Sequence, residues 1–370
     1  MTTISDVSYK DGRVIAADSK VSIWLDDYAE DFKKIVQIPG TNVIVQMAGD
    51  LDVAMMGIQV IRDVLAKYPN DDLDAHIADV NSGLRAVTAK LKDDANRGAS
   101  LLGQPPEGRY ATLLVSMNSN GAVKTFKTEL GMDYVPKPIF KIKDPDHMEE
   151  SVELVASPIA DFIRLGYGES VAVGPDPRSQ MVLDEILKNY PDYKGRARED
   201  AVAINYALIQ TFIDKNKGVG WPVYEWDVNR TEKTPTLLHK SLRPTDMDKA
   251  TNDYVKSLLP VAYAAFEVVT LKLQVKMAGE EEKRRLKKLD DAKNGVISLS
   301  KEDEAALKVG IKELDDYVSK SRSQLDIAQD QLASEEHKLS HYLAERNAVA
   351  QQSTVKAKRG ADKTKSAEIA

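Results

Sequence analysis

The chain opens with the pattern of a β-hairpin. Residues 2–10 alternate polar and apolar side chains, Asp11-Gly12 is a typical two-residue hairpin turn, and residues 13–18 form a second, more apolar segment. Two strands joined in this way place the beginning of the chain in an antiparallel β-sheet. The fold class then depends on which elements follow this hairpin.

Strand and helix signals follow in blocks over residues 1–230. A second hairpin turns at Pro39-Gly40-Thr41, and the apolar spacing becomes helical from Asp50. The predicted order is two hairpins, two helices, a third hairpin, two helices and a strand, the later elements lying at residues 34–38, 42–48, 50–65, 73–92, 110–117, 122–127, 182–190, 199–213 and 222–228. Such an order predicts an α+β layered sandwich. Residues 129–169 are harder to assign and are interpreted as an insertion.

Two long helices are predicted past Arg243. The first covers residues 245–293, Asn294-Gly295 breaks it, and a capping box at Ser300 opens a second helix that ends near residue 352. The second helix has the four-then-three apolar spacing of a coiled-coil seam, so the two helices are expected to form an antiparallel hairpin. The predicted domains are residues 1–243, a helical coiled-coil hairpin at 244–352 and a disordered basic tail at 353–370.

Composition excludes several classes of function. The 370 residues include 42% hydrophobic side chains, no cysteine and a formal net charge of −7. The chain can bury a sizeable core, forms neither disulfides nor thiolate metal sites, and lacks the basic excess of a nucleic-acid binder. Charged residues and Pro260 interrupt the most apolar stretch, Leu258 to Met277, and the N-terminus lacks the pattern of a signal peptide. We expect a cytoplasmic protein of the producing cell, with no cofactor and no nucleic-acid or membrane partner.

Thr2, Asp18 and Lys34 form a chemical pattern near the N-terminus. Thr2 follows a Met that a methionine aminopeptidase normally removes before so small a residue. A free α-amine on Thr2 can act as base for the Thr2 hydroxyl, because its unperturbed pKa is about 7.7 to 8.0 and a nearby cation lowers it. The acidic residue Asp18 and the basic residue Lys34 follow Thr2 at sixteen-residue intervals, each in a segment with a strand pattern. The pattern predicts an N-terminal nucleophile.

Short motifs over residues 2–49 occur in the order of a known family. They are Thr2-Thr3-Ile4, Tyr9-Lys10-Asp11-Gly12, Val14-Ile15-Ala16-Ala17-Asp18-Ser19, Lys34-Ile35 and Ala48-Gly49. This set resembles proteasome β subunits and the related subunit of the bacterial ATP-dependent protease, which are N-terminal nucleophile (Ntn) hydrolases. The resemblance is dense over these residues and looser to residue 230. It implies a four-layer αββα sandwich assembled into rings that enclose the active sites.

The resemblance also implies roles for individual residues. Four positions match the family's nucleophile, orienting carboxylate, neighbouring cation and backbone donor to the oxyanion, in that order Thr2, Asp18, Lys34 and Gly49. Asp214 matches a further structural and catalytic Asp. The implied reaction is hydrolysis of a peptide bond through an acyl-enzyme ester, so the chain is expected to be a threonine peptidase.

Two serines that the family places in its site are missing. Where the family has a Gly-Ser-Gly turn, this chain reads Gly174-Pro175-Asp176-Pro177, and Lys217 stands where the second Ser is expected. Asp176, Ser179 or water would have to replace the lost hydroxyls. The alternative to an active peptidase is therefore an inactive Ntn scaffold that serves as an assembly component of a large complex, such as a viral particle. A non-peptidase amidase is a third interpretation, because the same nucleophile serves any amide.

Lys33 is the rival of Lys34 for the position of the cation beside Thr2. Neighbours on a strand face opposite ways, so only one of them can reach Thr2, and the Ile that follows Lys34 favours Lys34.

The expected partners are further copies of the chain, in a ring or larger assembly. Because the sequence lacks a phosphate-binding Gly-rich loop, any unfoldase is expected to be a separate chain, docking through the helical hairpin.

His337 and His341 lie four residues apart on the second long helix, which is the spacing of metal ligands. The order is not His-Glu-x-x-His, and the charged face of a helix often contains such a pair. The sequence therefore predicts no metal site here.

Overall fold

The computed structural model describes residues 2–24, 27–29, 32–69, 73–102, 109–144, 147–174, 177–216, 219–232, 234–242 and 246–368. Within these residues the chain forms twelve strands and six α-helices. In chain order they are β1 Ile4–Tyr9, β2 Gly12–Asp18, β3 Val21–Trp24, β4 Asp27–Ala29, β5 Ile35–Gln37, β6 Val43–Gly49, α1 Leu51–Lys67, α2 Ile77–Leu102, β7 Tyr110–Ser119, β8 Ala122–Asp144, β9 His147–Arg164, β10 Val171–Val173, α3 Arg178–Leu187, α4 Arg198–Lys215, β11 Val223–Asn229, β12 Thr236–Leu242, α5 Lys249–Lys293 and α6 Lys301–Glu368.

Two five-stranded antiparallel sheets form the centre of the molecule. The first sheet has the strand order β10-β1-β2-β11-β12, and the second has the order β5-β6-β7-β8-β9. The predicted N-terminal hairpin is confirmed as β1 and β2, paired from Ile4↔Ala17 to Tyr9↔Gly12. Strands β3 and β4 form a separate small pair. The predicted α+β class is confirmed in this form, with long helices at the C-terminal end.

Strand alternation explains how the layers stack. In β1, Ile4 packs with Ile44 and Leu114 of the second sheet, whereas Val7 packs with Leu183 of α3 and Ile204 of α4. Helices α1 and α2 cover the other face of the second sheet. The layers therefore run helix, sheet, sheet, helix, and the start of β1 lies at the edge of the gap between the two sheets.

The segment interpreted as an insertion is part of the second sheet. Strand β8 pairs with β7 as far as Tyr110↔Gly131 and then with β9 alone, so residues 132–144 and 147–158 form a two-stranded extension. Gly131 has φ +120° at this divergence. Pro136 and Pro138 obscured the strand signal in the sequence, because proline is depleted from strands and tolerated mainly at sheet edges and bulges.

Helix α5 is part of the main core. Its first half packs on α3 and α4 through fully buried Leu258, Val261 and Ala265. By length and composition α5 could cross a membrane, but in this structure these apolar residues are covered by the protein's own helices. A deletion after residue 245 would therefore expose the face of α3 and α4 that α5 covers.

Helices α5 and α6 run antiparallel. The ring of Tyr254 lies 5.7 Å from that of Tyr342, while Gly310 lies against Arg285 near the other end. Helix α6 continues through residues 353–368, where the composition predicted a disordered tail. The tail contains many Ala and Lys residues, which favour the helical state even without an apolar face.

Candidate active site

The start of β1 and the end of β2 bring Thr3 and Asp18 together. The Asp18 amide donates to the Thr3 carbonyl at 3.1 Å, and the Thr3 amide donates to Oδ1 of Asp18 at 2.7 Å. This exchange extends the β1–β2 ladder to the first residues of the chain. Continued alternation places Thr2 on the same face as Ile4, towards the gap between the sheets, and Thr3 on the opposite face.

The ammonium group of Lys34 reaches Asp18 from the other sheet. The Lys34 carbonyl accepts a bond from the Met47 amide of β6 at 2.9 Å, which fixes the backbone of Lys34 to the second sheet. Its Nζ lies 2.9 Å from Oδ2 of Asp18 and also donates to the Lys20 carbonyl. Lys34 is buried and Lys33 is exposed. Of the two rival lysines, Lys34 is therefore the one that forms the ion pair.

Asp18 accepts hydrogen bonds at both carboxylate oxygens. Besides Lys34 and Thr3, the Lys20 amide donates at 3.1 Å and the Gly220 amide at 3.3 Å. Burial raises the pKa of Asp18 and lowers the pKa of Lys34, because desolvation penalises both charged forms, while the attraction between the two groups acts the other way. A lysine with a lowered pKa exchanges a proton more readily near neutral pH.

Gly49 ends strand β6 in a conformation that favours glycine. Its φ is +95°, and a Cβ at this position would lie 2.5 Å from the carbonyl oxygen of Tyr110. The next residue, Asp50, caps α1 by accepting from the Val53 amide at 3.1 Å. Arg109 binds both oxygens of Asp50, at 2.8 and 3.0 Å. The cap formed by Asp50 and the contacts of Arg109 thus fix the turn from β6 into α1, so the backbone of Gly49 has little conformational freedom.

Gln46 joins the two sheets behind this turn, and the sequence analysis missed it. Its side-chain amide donates to the carbonyls of Ser5 and Ala16, each at 3.0 Å, and the residue is fully buried. The signal that could have identified it is a single amide within the otherwise apolar strand β6. The bond fixes the second sheet against the strands that hold Thr3 and Asp18.

Among the described residues, no hydrogen bond or ion pair joins Asp214 to the Asp18–Lys34 pair. Asp214 lies in the last turn of α4, where its carboxylate accepts from Gln210 at 2.7 Å and from the hydroxyl of Tyr263 on α5. The physical reason is that this turn of α4 faces the added helix α5. The catalytic role that the family resemblance implies for Asp214 stays a prediction without a supporting contact among the described residues.

The region of the missing serines contains a different hydroxyl. Pro175, Asp176 and Lys217 lie outside the described residues. A Cβ on Gly174 would lie 1.7 Å from Oγ of Ser179 and 3.7 Å from Oγ1 of Thr3. Both hydroxyls are buried, and neither has a hydrogen-bond partner within the described part of the chain. Ser179 therefore lies near the face of Thr3, on the side of the first sheet opposite the gap.

Comparisons with known proteins give structural neighbours only. No protein-family model matches the chain, and the search of curated proteins gives no match. The chain is similar to solved structures of Anbu. The Gly-1 mutant from Hyphomicrobium sp. strain MC1 is 14% identical (70% of this chain, 92% of that chain, TM-score 0.45). The helical assembly of the Anbu complex from Pseudomonas aeruginosa is 17% identical (69% and 91%, TM-score 0.46), and Anbu (ancestral beta-subunit) from Yersinia bercovieri is 14% identical (70% and 91%, TM-score 0.43). Identities and TM-scores this low assign no function.

Proposed function

We propose that the protein is a proteasome-like threonine hydrolase that cleaves amide bonds, with Thr2 as its N-terminal nucleophile. The observation that carries the proposal is the buried Lys34–Asp18 ion pair beside the start of β1. Lys34 reaches Asp18 across the gap between the sheets, and continued strand alternation would direct the Thr2 side chain towards the same gap. Burial of a charged pair costs desolvation free energy. Groups whose pKa is shifted by burial cluster at functional sites.

In this proposal the residues divide the reaction between them. The α-amine of Thr2 takes the proton of its own Oγ, which attacks the carbonyl carbon of the amide. Lys34 stabilises the alkoxide, Asp18 holds the ammonium of Lys34 in place, and the Gly49 amide donates to the oxyanion. The C–N bond then breaks, the amine leaves with the proton, and water hydrolyses the resulting Thr2 ester. Peptides are the proposed substrates, and the site is proposed to work in a homo-oligomer.

The proposal requires a free α-amine on Thr2, and intact mass spectrometry of the native protein tests this requirement. We expect a mass that lacks one methionine. Retained Met would acylate the nitrogen of Thr2, remove its base and contradict the proposal.

Thr2→Ala tests the nucleophile itself. We expect the variant to lose all amidase activity and all labelling by epoxyketone or β-lactone probes, with assembly unchanged. Thr3→Val is the matched control, because the buried Thr3 hydroxyl makes no hydrogen bond to a described residue. Undiminished hydrolysis by Thr2→Ala would refute the role of Thr2, and equal losses in both variants would point to structural damage instead.

A structural function is the second candidate, and the contact between Asp214 and Tyr263 favours it. The family resemblance places Asp214 in the catalytic site. In this chain Asp214 instead binds Tyr263 and so holds the added helix α5. In this alternative the chain is an inactive assembly component of a large complex, such as a viral particle. Retained Met, unreactive probes and a large homogeneous assembly would together support it over catalysis. Hydrolysis of small amides but not of peptides would identify the third candidate, a non-peptidase amidase.

A further inference from the structure

Two histidine rings converge on the exposed face of α6. His337 and His341 are one turn apart, their Nε2 atoms lie 3.3 Å from each other, and the planes of the rings are almost perpendicular. Both side chains are exposed, whereas Leu339 between them is buried against the core. The nitrogens that point at each other are therefore available to solvent while the helix behind them is fixed.

The separation of these nitrogens fits a shared metal ion. With zinc–nitrogen bonds of about 2.05 Å, a separation of 3.3 Å gives an N–Zn–N angle of about 107°, which is close to tetrahedral. Imidazole nitrogen is a preferred ligand of zinc, copper and nickel ions. Without a metal, the same geometry is satisfied by one imidazole N–H that donates to the other ring.

The surrounding contacts hold this part of α6 in place before any ion binds. Asn189 of the α3 region donates to Glu336 at 3.3 Å, and Arg346 lies 2.6 Å from Asp200 of α4. These contacts lie on either side of the histidine pair along the helix. Because the backbone is fixed from both directions, little conformational entropy remains to be lost when the two rings take one ion.

We propose that His337 and His341 form a binding site for a divalent transition-metal ion of the zinc, copper or nickel type. Within the described residues no group of three or more His, Cys, Asp or Glu side chains is placed to hold a metal, so the pair supplies two ligands and water completes the shell. Glu345 follows one turn later on the same helix and adds negative charge near the site. The site is independent of the proposed hydrolase chemistry.

Calorimetric titration of the full-length, untagged protein with zinc chloride tests the site. We expect one ion per chain, and we expect His337→Gln and His341→Gln each to lose this binding. His76→Gln is the matched control, because His76 stacks on Tyr68 away from α6, and it should bind as the wild type does. Binding that survives in both α6 variants, or occurs only as weak uptake of many ions, would identify an adventitious ion only and overturn the proposal.

Thermal unfolding gives a second measurement, which does not depend on the heat of metal binding. Zinc should raise the unfolding temperature of the wild type and of His76→Gln, because an ion that binds only the folded state stabilises it. The same addition should leave both α6 variants unshifted. Because the two histidines are exposed, these variants are expected to fold, and circular dichroism without metal checks this. Equal shifts in all four proteins would contradict a site at His337 and His341.

Discussion

The acidic residues of two buried ion pairs lie on the first hairpin, and the two pairs look alike by burial and differ in their surroundings. Arg13 pairs with Asp6 at 2.5 Å near the turn, with side chains 4% and 0% exposed. Lys34 pairs with Asp18 at 2.9 Å near the open end, with side chains 2% and 0% exposed. Exposure therefore does not separate a structural pair from a candidate catalytic pair.

Their hydrogen-bond partners do separate the two pairs. The hydroxyls of Ser116 and Thr125 donate to Oδ2 of Asp6, each at 3.2 Å, and Arg13 also donates to the Glu169 carbonyl. That pair is enclosed by side chains of the second sheet and fastens the two sheets together. Asp18 takes backbone amides instead, and one of them belongs to Thr3, the residue that follows Thr2. The comparison teaches that position relative to a reactive group, more than burial, marks the candidate site.

The largest effect is expected on activity, from Lys34→Arg. Arginine keeps a positive charge for Asp18, but its larger, planar guanidinium cannot hold that charge where the Lys34 ammonium is proposed to stabilise the Thr2 alkoxide. We expect the hydrolysis rate to fall by about 10²–10³-fold because this charge stabilisation is lost, while the free energy of unfolding falls by about 1–3 kcal/mol because of the larger side chain. Rates on a peptide substrate and chemical unfolding measure the two quantities. Exposed Lys33→Ala is the control and should keep full activity; a loss there would break the distinction between the two lysines.

The next effect is expected on stability, from Arg13→Met. Removing the guanidinium leaves the Asp6 carboxylate buried without its charged partner, which costs about 3–5 kcal/mol. Urea unfolding measures the loss. Adding Asp6→Leu should recover most of it, because no charge then remains buried. The folded fraction should keep its activity, and a loss of activity per folded molecule would show that the two pairs are coupled.

The smallest effect is expected from Ser116→Ala. Asp6 keeps Arg13 and Thr125 as partners, so the loss of one hydroxyl donor should lower the free energy of unfolding by about 1 kcal/mol. Ser323→Ala on the exposed face of α6 is the control and should have an effect close to zero. A loss at Ser116 as large as that at Arg13 would mean that the hydroxyl, and not the ion pair, holds the two sheets together.

Some parts of the candidate site could be predicted from the sequence, and others could not. Family motifs placed Asp18 and Lys34 in the site, and their ion pair is present in the structure. The resemblance also implied a role for Asp214, but the contact of this residue with α5 depends on a helix that the resemblance does not cover. Gln46 was missed, because its bonds join strands from two different sheets. The Asp6–Arg13 pair was missed for a similar reason, since it depends on the hairpin register and on the enclosing second sheet.

The sequence by itself determined the N-terminal hairpin, the turn chemistry at Asp11-Gly12 and the presence of two long helices past residue 245. These features depend on periodicity and turn residues within short windows of the chain. Only the tertiary structure decided that Gln46 joins the two sheets, that α5 belongs to the core, and that the His337 and His341 nitrogens converge. Such contacts depend on strand register and on packing between distant segments, and a local pattern does not encode either.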